Sequence, residues 1–214
     1  IVSYLLLGNK TAEALAGSNK FSDVAKTNWA AGFIDYCATE NIVAGVGNGQ
    51  FAPDGQLTGY QFAKMLLCAL GYKAEIEGYT GSDYTIAIAR DANKNGLFDD
   101  LSIATSANLT REQAAQMAFN ALKADMVKYT NGTKIETGDG TKVTVNATRY
   151  KAEGSSAADA NYDGTNGDGV MQFCEQYFPK LKLNKDAADA NEIKKIFDDE
   201  GGRFYKFRYK EVDG

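Results

Sequence analysis

Apolar residues recur at helical spacing in two segments of this chain, and both segments open in the same way. Residues 57–61 read Leu-Thr-Gly-Tyr-Gln and residues 109–113 read Leu-Thr-Arg-Glu-Gln. In each, the threonine hydroxyl can cap free backbone amides while the glutamine three residues later reaches back. The apolar stripes that follow are Phe62, Met65, Leu66, Ala69 and Leu70, and Ala114, Met117, Ala118, Ala121 and Leu122. Self-similarity at a period of roughly 50 residues predicts a repeat array, in which each unit buries its apolar face against its neighbours.

The first complete unit is predicted over residues 21–73. After an extended segment at 21–24, Asn28 is expected to cap a helix, and a glycine-rich loop over 42–53 carries the turn signal Asn48-Gly49. The buried stripe of that helix is predicted to contain Trp29, Phe33, Ile34 and Cys37. This unit supplies one complete set of repeat elements.

The flanking units are less complete. Residues 4–8 match residues 67–71 in order, as the end of an apolar helix closed by glycine, so residues 1–20 are expected to be the last part of a truncated repeat. Residues 74–126 are predicted to form a degenerate repeat, in which Tyr84 stands where Trp29 stands and the glycine loop is lost. We therefore expect one partial and two further repeats around a shared helical core.

Beyond residue 126 the periodicity changes from helical to alternating. Residues 133–137 and 141–145, joined by Gly-Asp-Gly, predict a β-hairpin, and residues 154–169 predict a loop or linker. The remaining expectations are short helices within 170–178 and 191–197 and a final strand with Tyr205, Phe207 and Tyr209 on one face. The predicted fold class is α+β: helical repeats, then a β-hairpin and a small mixed α/β module over 127–214, with that module expected to be incomplete.

Composition narrows the classes of function. The chain has 214 residues and a formal net charge of −5, which disfavours a nucleic-acid partner because phosphate binding needs a concentrated basic face. It contains no histidine, which removes imidazole-dependent nucleophiles and the usual histidine-containing zinc sites. The longest apolar run, over residues 1–7, is too short to span a bilayer, so no membrane anchor is expected.

The three cysteines are Cys37, Cys68 and Cys174, and they cannot all pair within one chain. None lies in a Cys-x-x-Cys arrangement. We interpret Cys37 and Cys68 as small buried apolar residues, with a disulfide between them open only if their helices are neighbours.

The ordered series of residues resembles the S-layer homology repeat of bacterial cell-surface proteins. The matching stretches are Phe-Ser-Asp-Val at 21–24, Trp-Ala at 29–30, Asn-Gly-Gln-Phe-Ala-Pro at 48–53 and Leu-Thr at 57–58, and 110–113 falls where that family has Thr-Arg-Ala-Glu. The resemblance covers roughly the first 125 residues. It implies an extracellular cell-wall or S-layer location and noncovalent attachment to secondary cell-wall polymers, often pyruvylated, in grooves between neighbouring repeats.

The resemblance also implies polymer-binding residues, which are Arg111, Trp29, Gly47, Asn48 and Gly49. An arginine fork can hold a ketal carboxylate, a tryptophan face can pack on a sugar, and glycine amides can meet glycan oxygens. The chain departs from the family pattern at Gly59, which stands where the first complete repeat should have its arginine. For Arg111, ligand contact and a surface ion pair stay open, and for Trp29 a core anchor is favoured over sugar stacking.

Two acidic loops resemble calcium sites, and calcium is the one cofactor considered. Asp91, Asn93, Asn95 and Gly96 follow the start of an EF-hand loop, but Ser102 stands at the position of the bidentate glutamate, so a helix end at Gly96 is favoured. The other candidate has Gly164 at its first position, and its proposed calcium ligands are Asn166, Asp168 and Glu175.

Three functions compete. The favoured one is a non-enzymatic anchoring segment of a surface-layer protein, whose partner is a secondary cell-wall polymer or a peptidoglycan-linked glycan. The second is a structural assembly or adhesion protein with degenerate repeats, which associates with copies of itself or with other surface proteins through the edge of its final strand. A carboxylate-based glycosidase is the least favoured, because no motif singles out a pair of acids.

Overall fold

A computed structural model describes residues 1–136, 142–154, 169–178, 181–183 and 207–209. This part of the chain is mostly helical, with small antiparallel two-stranded sheets, and so has the predicted α+β class. The helices are α1 (Val2–Glu13), α2 (Ala31–Thr39), α3 (Gly59–Ala69), α4 (Ala74–Glu77), α5 (Tyr84–Lys94), α6 (Arg111–Leu122) and α7 (Phe173–Tyr177). The strands are β1 (Val127–Tyr129), β2 (Thr133–Glu136), β3 (Lys142–Val145), β4 (Arg149–Lys151), β5 (Leu181–Leu183) and β6 (Phe207–Tyr209).

Both predicted capping boxes are present. At α3, Thr58 Oγ1 accepts the Gln61 N–H at 3.3 Å and Gln61 Oε1 accepts the Thr58 N–H at 2.8 Å. At α6, the corresponding distances between Thr110 and Gln113 are 3.1 and 3.0 Å. Two otherwise unpaired amides are thus satisfied at each helix start.

The segments that lead into these two helices lie side by side. The Leu109 N–H donates to the Leu57 carbonyl at 2.7 Å, and Thr58 and Asn108 form an isolated antiparallel bridge. The starts of α3 and α6 are therefore fixed to each other.

The main core is built around α3, which contacts α1, α5 and α6. Leu66 and Leu67 of this helix and Leu70, the residue directly after it, are fully buried. They share a cluster with Val2 of α1, Ile88 of α5, Met117 of α6 and Phe173 of α7. The apolar stripes of the two capped helices thus converge on one cluster, because each helix alone would leave its stripe in water.

Glycine ends the apolar part of α1 and of α3, as the sequence predicts. Gly8 interrupts α1 with φ 71°, and Gly71 follows α3 with φ 101°. A side chain at Gly71 would also lie 2.3 Å from the Val127 carbonyl oxygen. Gly71 therefore permits both the left-handed turn and the close approach of β1.

The start of the first complete unit differs from the prediction in three respects. Residues 21–24 form turns instead of an extended segment, and α2 begins at Ala31, because Asn28 Oδ1 accepts the Ala30 N–H in a preceding turn. Trp29, predicted as part of the buried stripe, is 85% exposed. It lies before the helix starts, so the helical spacing that buries Ile34 and Cys37 does not apply to it.

The cysteines behave as apolar side chains. Cys37 is buried in the main core, and Cys68 packs against it without a disulfide between them. Burial raises the pKa of the Cys68 thiol to about 11, so the thiol is neutral at physiological pH. The prediction of a buried apolar residue is confirmed for Cys37, whereas Cys68 is only partly buried.

The strands after residue 126 pair antiparallel. In the predicted hairpin, β2 pairs with β3 in the register Thr133↔Val145, and β1 pairs with β4 in the register Val127↔Lys151. Strand β6 pairs with β5, so one of its edges is already occupied within the chain. The predicted helix within 170–178 is shorter and spans α7 only. The hairpin turn at 138–140, the loop over 155–168, the helix at 191–197 and Tyr205 lie outside the described residues.

No helix in the described part of the chain combines the length and the apolar character needed to cross a membrane.

Candidate functional site

A groove of about 520 Å³ lies between the glycine loop and the segment that precedes α5. The volume falls within the range of roughly 300–1,000 Å³ that is usual for ligand sites. Residues from the loop over 42–57 form one wall of the groove, and residues from 79–84 form the opposite wall. Helix α3 contributes Gln61, Lys64 and Met65 to the lining. Among the described residues that line the groove, Lys64 is the only charged one. The groove is thus an apolar cleft with a single cation.

The turn of the glycine loop projects beside this groove. Residues 47–50 form a tight turn, in which Asn48 has φ 52° and Gly49 has φ 72°. The Val46 N–H donates to the Gln50 carbonyl at 2.8 Å, and the Gln50 N–H donates to the Gly47 carbonyl at 2.9 Å. The predicted Asn48-Gly49 turn is therefore present, with both residues in the left-handed region that asparagine and glycine tolerate.

Asp23 ties the end of this loop to the start of the unit, a role that the sequence analysis missed. Its carboxylate accepts the N–H of Phe51 at 2.8 Å and that of Ala52 at 2.7 Å. The bond from Phe51 is the largest cause that holds the pKa of Asp23 below its usual value. Ser22 adds a second tie, since its N–H donates to the Gly49 carbonyl at 2.8 Å. The sequence signal was the Ser-Asp pair at 22–23, but its partners lie 27 to 29 residues away.

Gly45 allows the loop to close on itself. A Cβ atom at this position would lie 2.4 Å from the Gln50 carbonyl oxygen and 2.8 Å from the Phe21 ring, and its φ is 78°. Phe21 in turn packs on Phe51 with 5.4 Å between ring centroids. Because no side chain fits there, this wall of the groove is a close-packed backbone surface.

The five predicted polymer-binding residues lie at three places around the molecule. Gly47, Asn48 and Gly49 form the exposed tip of the loop. Arg111 is exposed on the first turn of α6 and makes no ion pair within the described residues. Trp29 continues an aromatic row, with its ring 6.4 Å from Phe33, whose ring lies 5.5 Å from Tyr4. None of the five lines the groove.

Gly59, the departure from the family pattern, is buried. A Cβ atom there would lie 2.4 Å from Cγ2 of Ile103, a residue of the second predicted unit. An arginine cannot occupy this position unless Ile103 moves away. The first capped helix therefore has neither the arginine nor the space for it.

Asp91 belongs to a buried polar network and not to a calcium loop. Its side chain is 1% exposed and accepts bonds from Tyr79 Oη at 2.8 Å and from Arg90 Nη2 at 2.5 Å. Burial by itself would raise the pKa of Asp91, but the bonds from Arg90 and Tyr79 hold it below its usual value. The helix ends at Lys94 and Gly96 has φ 65°, as the favoured interpretation required.

The same network joins α5 to the strands that follow α6. Arg149 of β4 lies 2.7 Å from Glu77 Oε2 and 3.5 Å from Asp91 Oδ1, and it stacks over the Tyr72 ring at 4.8 Å. Tyr129 of β1 donates to Glu77 Oε1 at 2.5 Å. Both carboxylates are thus held by arginine and tyrosine.

Of the three proposed ligands of the second calcium candidate, only Glu175 lies within the described residues. Glu175 Oε2 accepts the Gln172 N–H at 2.8 Å and so completes a third capping box, at α7. Asn166 and Asp168 lie outside the described residues. Within the described ranges, no cluster of three or more histidine, cysteine, aspartate or glutamate side chains is arranged to hold a metal ion.

A comparison with known protein families matches residues 20–63 to the model described as "S-layer homology domain". Residues 20–63 form an S-layer homology domain. It contains the glycine loop, Asp23 and the first part of α3. The resemblance proposed from the sequence is thereby confirmed for this segment.

The chain is also similar to longer surface proteins. It is 31% identical to the "Cell surface protein" of Thermoanaerobacter kivui over 61% of this chain and 16% of that protein. It is 33% identical to the "Middle cell wall protein" of Brevibacillus brevis over 55% of this chain and 11% of that protein. An "Endoglucanase" of Bacillus sp. strain KSM-635 is 32% identical over 52% of this chain and 12% of that protein. The chain therefore spans less than a fifth of the length of these relatives.

No solved structure matches the chain. The S-layer homology domain and the relatives confirm the predicted location, which is extracellular, in the cell wall or S-layer.

Proposed function

We propose that this chain anchors its protein to the cell wall by noncovalent binding of a secondary cell-wall polymer or a peptidoglycan-linked glycan. The observation that carries the proposal is the position of the groove: its loop wall lies inside the S-layer homology domain at 20–63. An apolar cleft with few polar groups is the kind of site that holds a small ligand segment.

Exposed residues outside the groove lining supply further contacts in this proposal. Arg111 offers five N–H donors from an exposed helix start, and a guanidinium can grip a carboxylate with two parallel bonds. Trp29 presents a ring that is 85% exposed, and its face suits stacking on a sugar. The tip formed by Gly47, Asn48 and Gly49 brings backbone amides close to a glycan because two of the three residues have no side chain.

Sedimentation with purified cell walls tests the proposal. The chain should pellet with native walls and stay in the supernatant with walls from which the polymer and other peptidoglycan-linked glycans have been extracted. Arg111→Ala and Trp29→Ala should each weaken binding. Lys128→Ala and Ile86→Ala are matched controls, because Lys128 is an exposed cation, Ile86 is 71% exposed, and neither is a predicted polymer-binding residue. Equal binding to native and extracted walls would contradict the proposal.

The contact between Gly59 and Ile103 favours a second candidate, in which the repeats are scaffold for assembly. In that case the chain associates with itself or with other surface proteins, and no residue of the groove affects wall binding. Static light scattering over a range of concentrations and calcium levels tests this function. A monomer under all conditions would contradict self-assembly, including assembly that depends on calcium.

We propose a non-enzymatic role for this segment, although one relative is named as an endoglucanase. Glu77 and Asp91, the two acids that the network brings together, are both bound by Arg149 and by tyrosines, so neither is placed as a free proton donor. Release of reducing sugars from wall glycans or cellulose by the purified chain would overturn this.

A further inference from the structure

Lys64 is the one charged side chain among the described residues that line the groove, and it belongs to the helix that lacks the arginine expected from the family. Lys64 lies on α3 one turn beyond Gln61, and both residues line the groove. Gly59, at the start of the same helix, is closed off by Ile103. Positive charge is thus absent at the helix start and present further along the helix, inside the cleft.

The Lys64 ammonium group forms no salt bridge in the described part of the chain. Lys64 as a residue is half-buried, and an ammonium group without a carboxylate partner gains from an anionic ligand.

The groups beside Lys64 suit a sugar acid. Gln61 also lines the groove; its Oε1 accepts the Thr58 N–H at 2.8 Å, so its amide N–H groups are not used by the capping box. Tyr79 is 1% exposed and its hydroxyl donates to Asp91, so it forms an apolar floor. Tyr84 lines the opposite wall and adds an aromatic ring. The groove thus combines apolar surface, neutral donors and one cation.

We propose that Lys64 binds a carboxylate of the wall polymer in this groove and so supplies the charge that Gly59 cannot. The inference rests on the proposed function, because it names the residue that selects an acidic glycan at the same groove. A lysine at this position also has reach, since its four-carbon stem carries the ammonium group along the apolar wall.

The test measures half-maximal sedimentation with purified walls for the native chain, Lys64→Gln and Lys64→Arg. Three wall preparations are used: native walls, walls with the polymer extracted, and native walls whose carboxylates are converted to amides. Lys26→Gln is the matched control, since it removes the same charge at an exposed site outside the groove. Circular dichroism and the unfolding midpoint check that each variant is folded.

On native walls, Lys64→Gln should bind about tenfold more weakly than the native chain, because a charge-assisted hydrogen bond is lost. Lys64→Arg should keep most of the affinity, and Lys26→Gln should match the native chain. On amidated walls the native chain should fall to the level of Lys64→Gln.

Two results would overturn the inference while the proposed function stands: native-level binding by folded Lys64→Gln, or equal losses for Lys64→Gln and Lys26→Gln. Binding to extracted walls that still depends on Lys64 would place the carboxylate on peptidoglycan and would overturn the polymer as its source. Equal binding of all proteins to native and extracted walls would overturn the proposed function itself.

Discussion

Ile103 packs so closely against Gly59 that adding a single methyl group at position 59 is expected to destabilise the fold. The first prediction is that Gly59→Ala lowers the free energy of unfolding by about 1–3 kcal/mol, the usual cost of overpacking. The added Cβ would stand 2.4 Å from Ile103 Cγ2. In an Ile103→Ala background the methyl group has room, so the cost should shrink toward zero. Urea unfolding of the four proteins of this cycle measures the coupling. An equal cost in both backgrounds would show that Ile103 does not close the site.

Asp23 gives the second prediction, which concerns the loop beside the groove. Asp23→Ala should speed amide hydrogen exchange at Phe51 and Ala52, because their N–H groups lose the carboxylate that accepts them at 2.8 and 2.7 Å. The pKa of Asp23 lies below its usual value, so in the native chain this protection should persist through pH 4 and be lost only in stronger acid. Exchange measured by NMR at each amide reports both effects.

The control is Asp54→Ala, an exposed acid in the same loop that makes no hydrogen bond in the described structure. It should leave both amides protected. Loss of protection in this variant as well would mean that loop charge, and not the Asp23 contact, fixes the segment.

At the scale of elements, the two capping boxes are expected to be similar in energy. Thr58→Ala and Thr110→Ala should each lower the free energy of unfolding by about 1 kcal/mol, because each removes an N-cap acceptor. Serine at either position should restore most of the loss, and Thr27→Ala, at an exposed site outside the helices, is the control. Chemical denaturation measures all five variants. If the alanine variants matched the native chain, the caps observed at 3.3 and 3.1 Å would contribute nothing to stability.

Local chemistry made these elements predictable from the sequence. A threonine with glutamine three residues on specifies a helix start, and Asn48-Gly49 specifies a tight turn, since each signal depends only on neighbours in the chain. Helical spacing likewise placed Leu66 and Met117 in the core. The same spacing failed for Trp29, because the chain turns before the helix begins at Ala31 and the ring leaves the buried face.

The groove could not be predicted because its features depend on contacts between distant segments. No residue near Gly59 in the sequence predicts that Ile103, 44 positions later, packs against it. Lys64 stands in a mostly apolar helix, where a lone lysine usually marks a solvated face. The fold places residues 79–84 on the opposite side of the groove from Lys64, and that long-range contact makes Lys64 a groove residue.

At the scale of the whole molecule, the network around Asp91 connects the helical part to the strands after residue 126. Arg149 of β4 reaches both Glu77 and Asp91, and Asp91 is separated from it by 58 positions in the chain. No sequence pattern predicts a contact between an acid and an arginine that are so far apart in the chain. The network therefore provides polar contacts between α5 and β4, whose sheet has two strands within the described residues.

This network predicts how stability depends on pH. The folded-state pKa of Asp91 is depressed, so the contribution of Asp91 to stability is fully present above the unfolded pKa of about 3.9 and is lost as the pH falls through the folded-state pKa.

Asp91→Asn should lower the free energy of unfolding at pH 7 by about 3 kcal/mol, because Arg90 and Arg149 lose their shared buried anion. Below about pH 4 the variant should then lose less stability than the native chain, since position 91 has no carboxylate left to protonate. Urea unfolding at several pH values measures both differences, and Asp83→Asn, an exposed acid beside α5 without a side-chain bond to it, should follow the native curve. Parallel acid curves for Asp91→Asn and the native chain would mean that other carboxylates, and not this network, set the acid sensitivity of the fold.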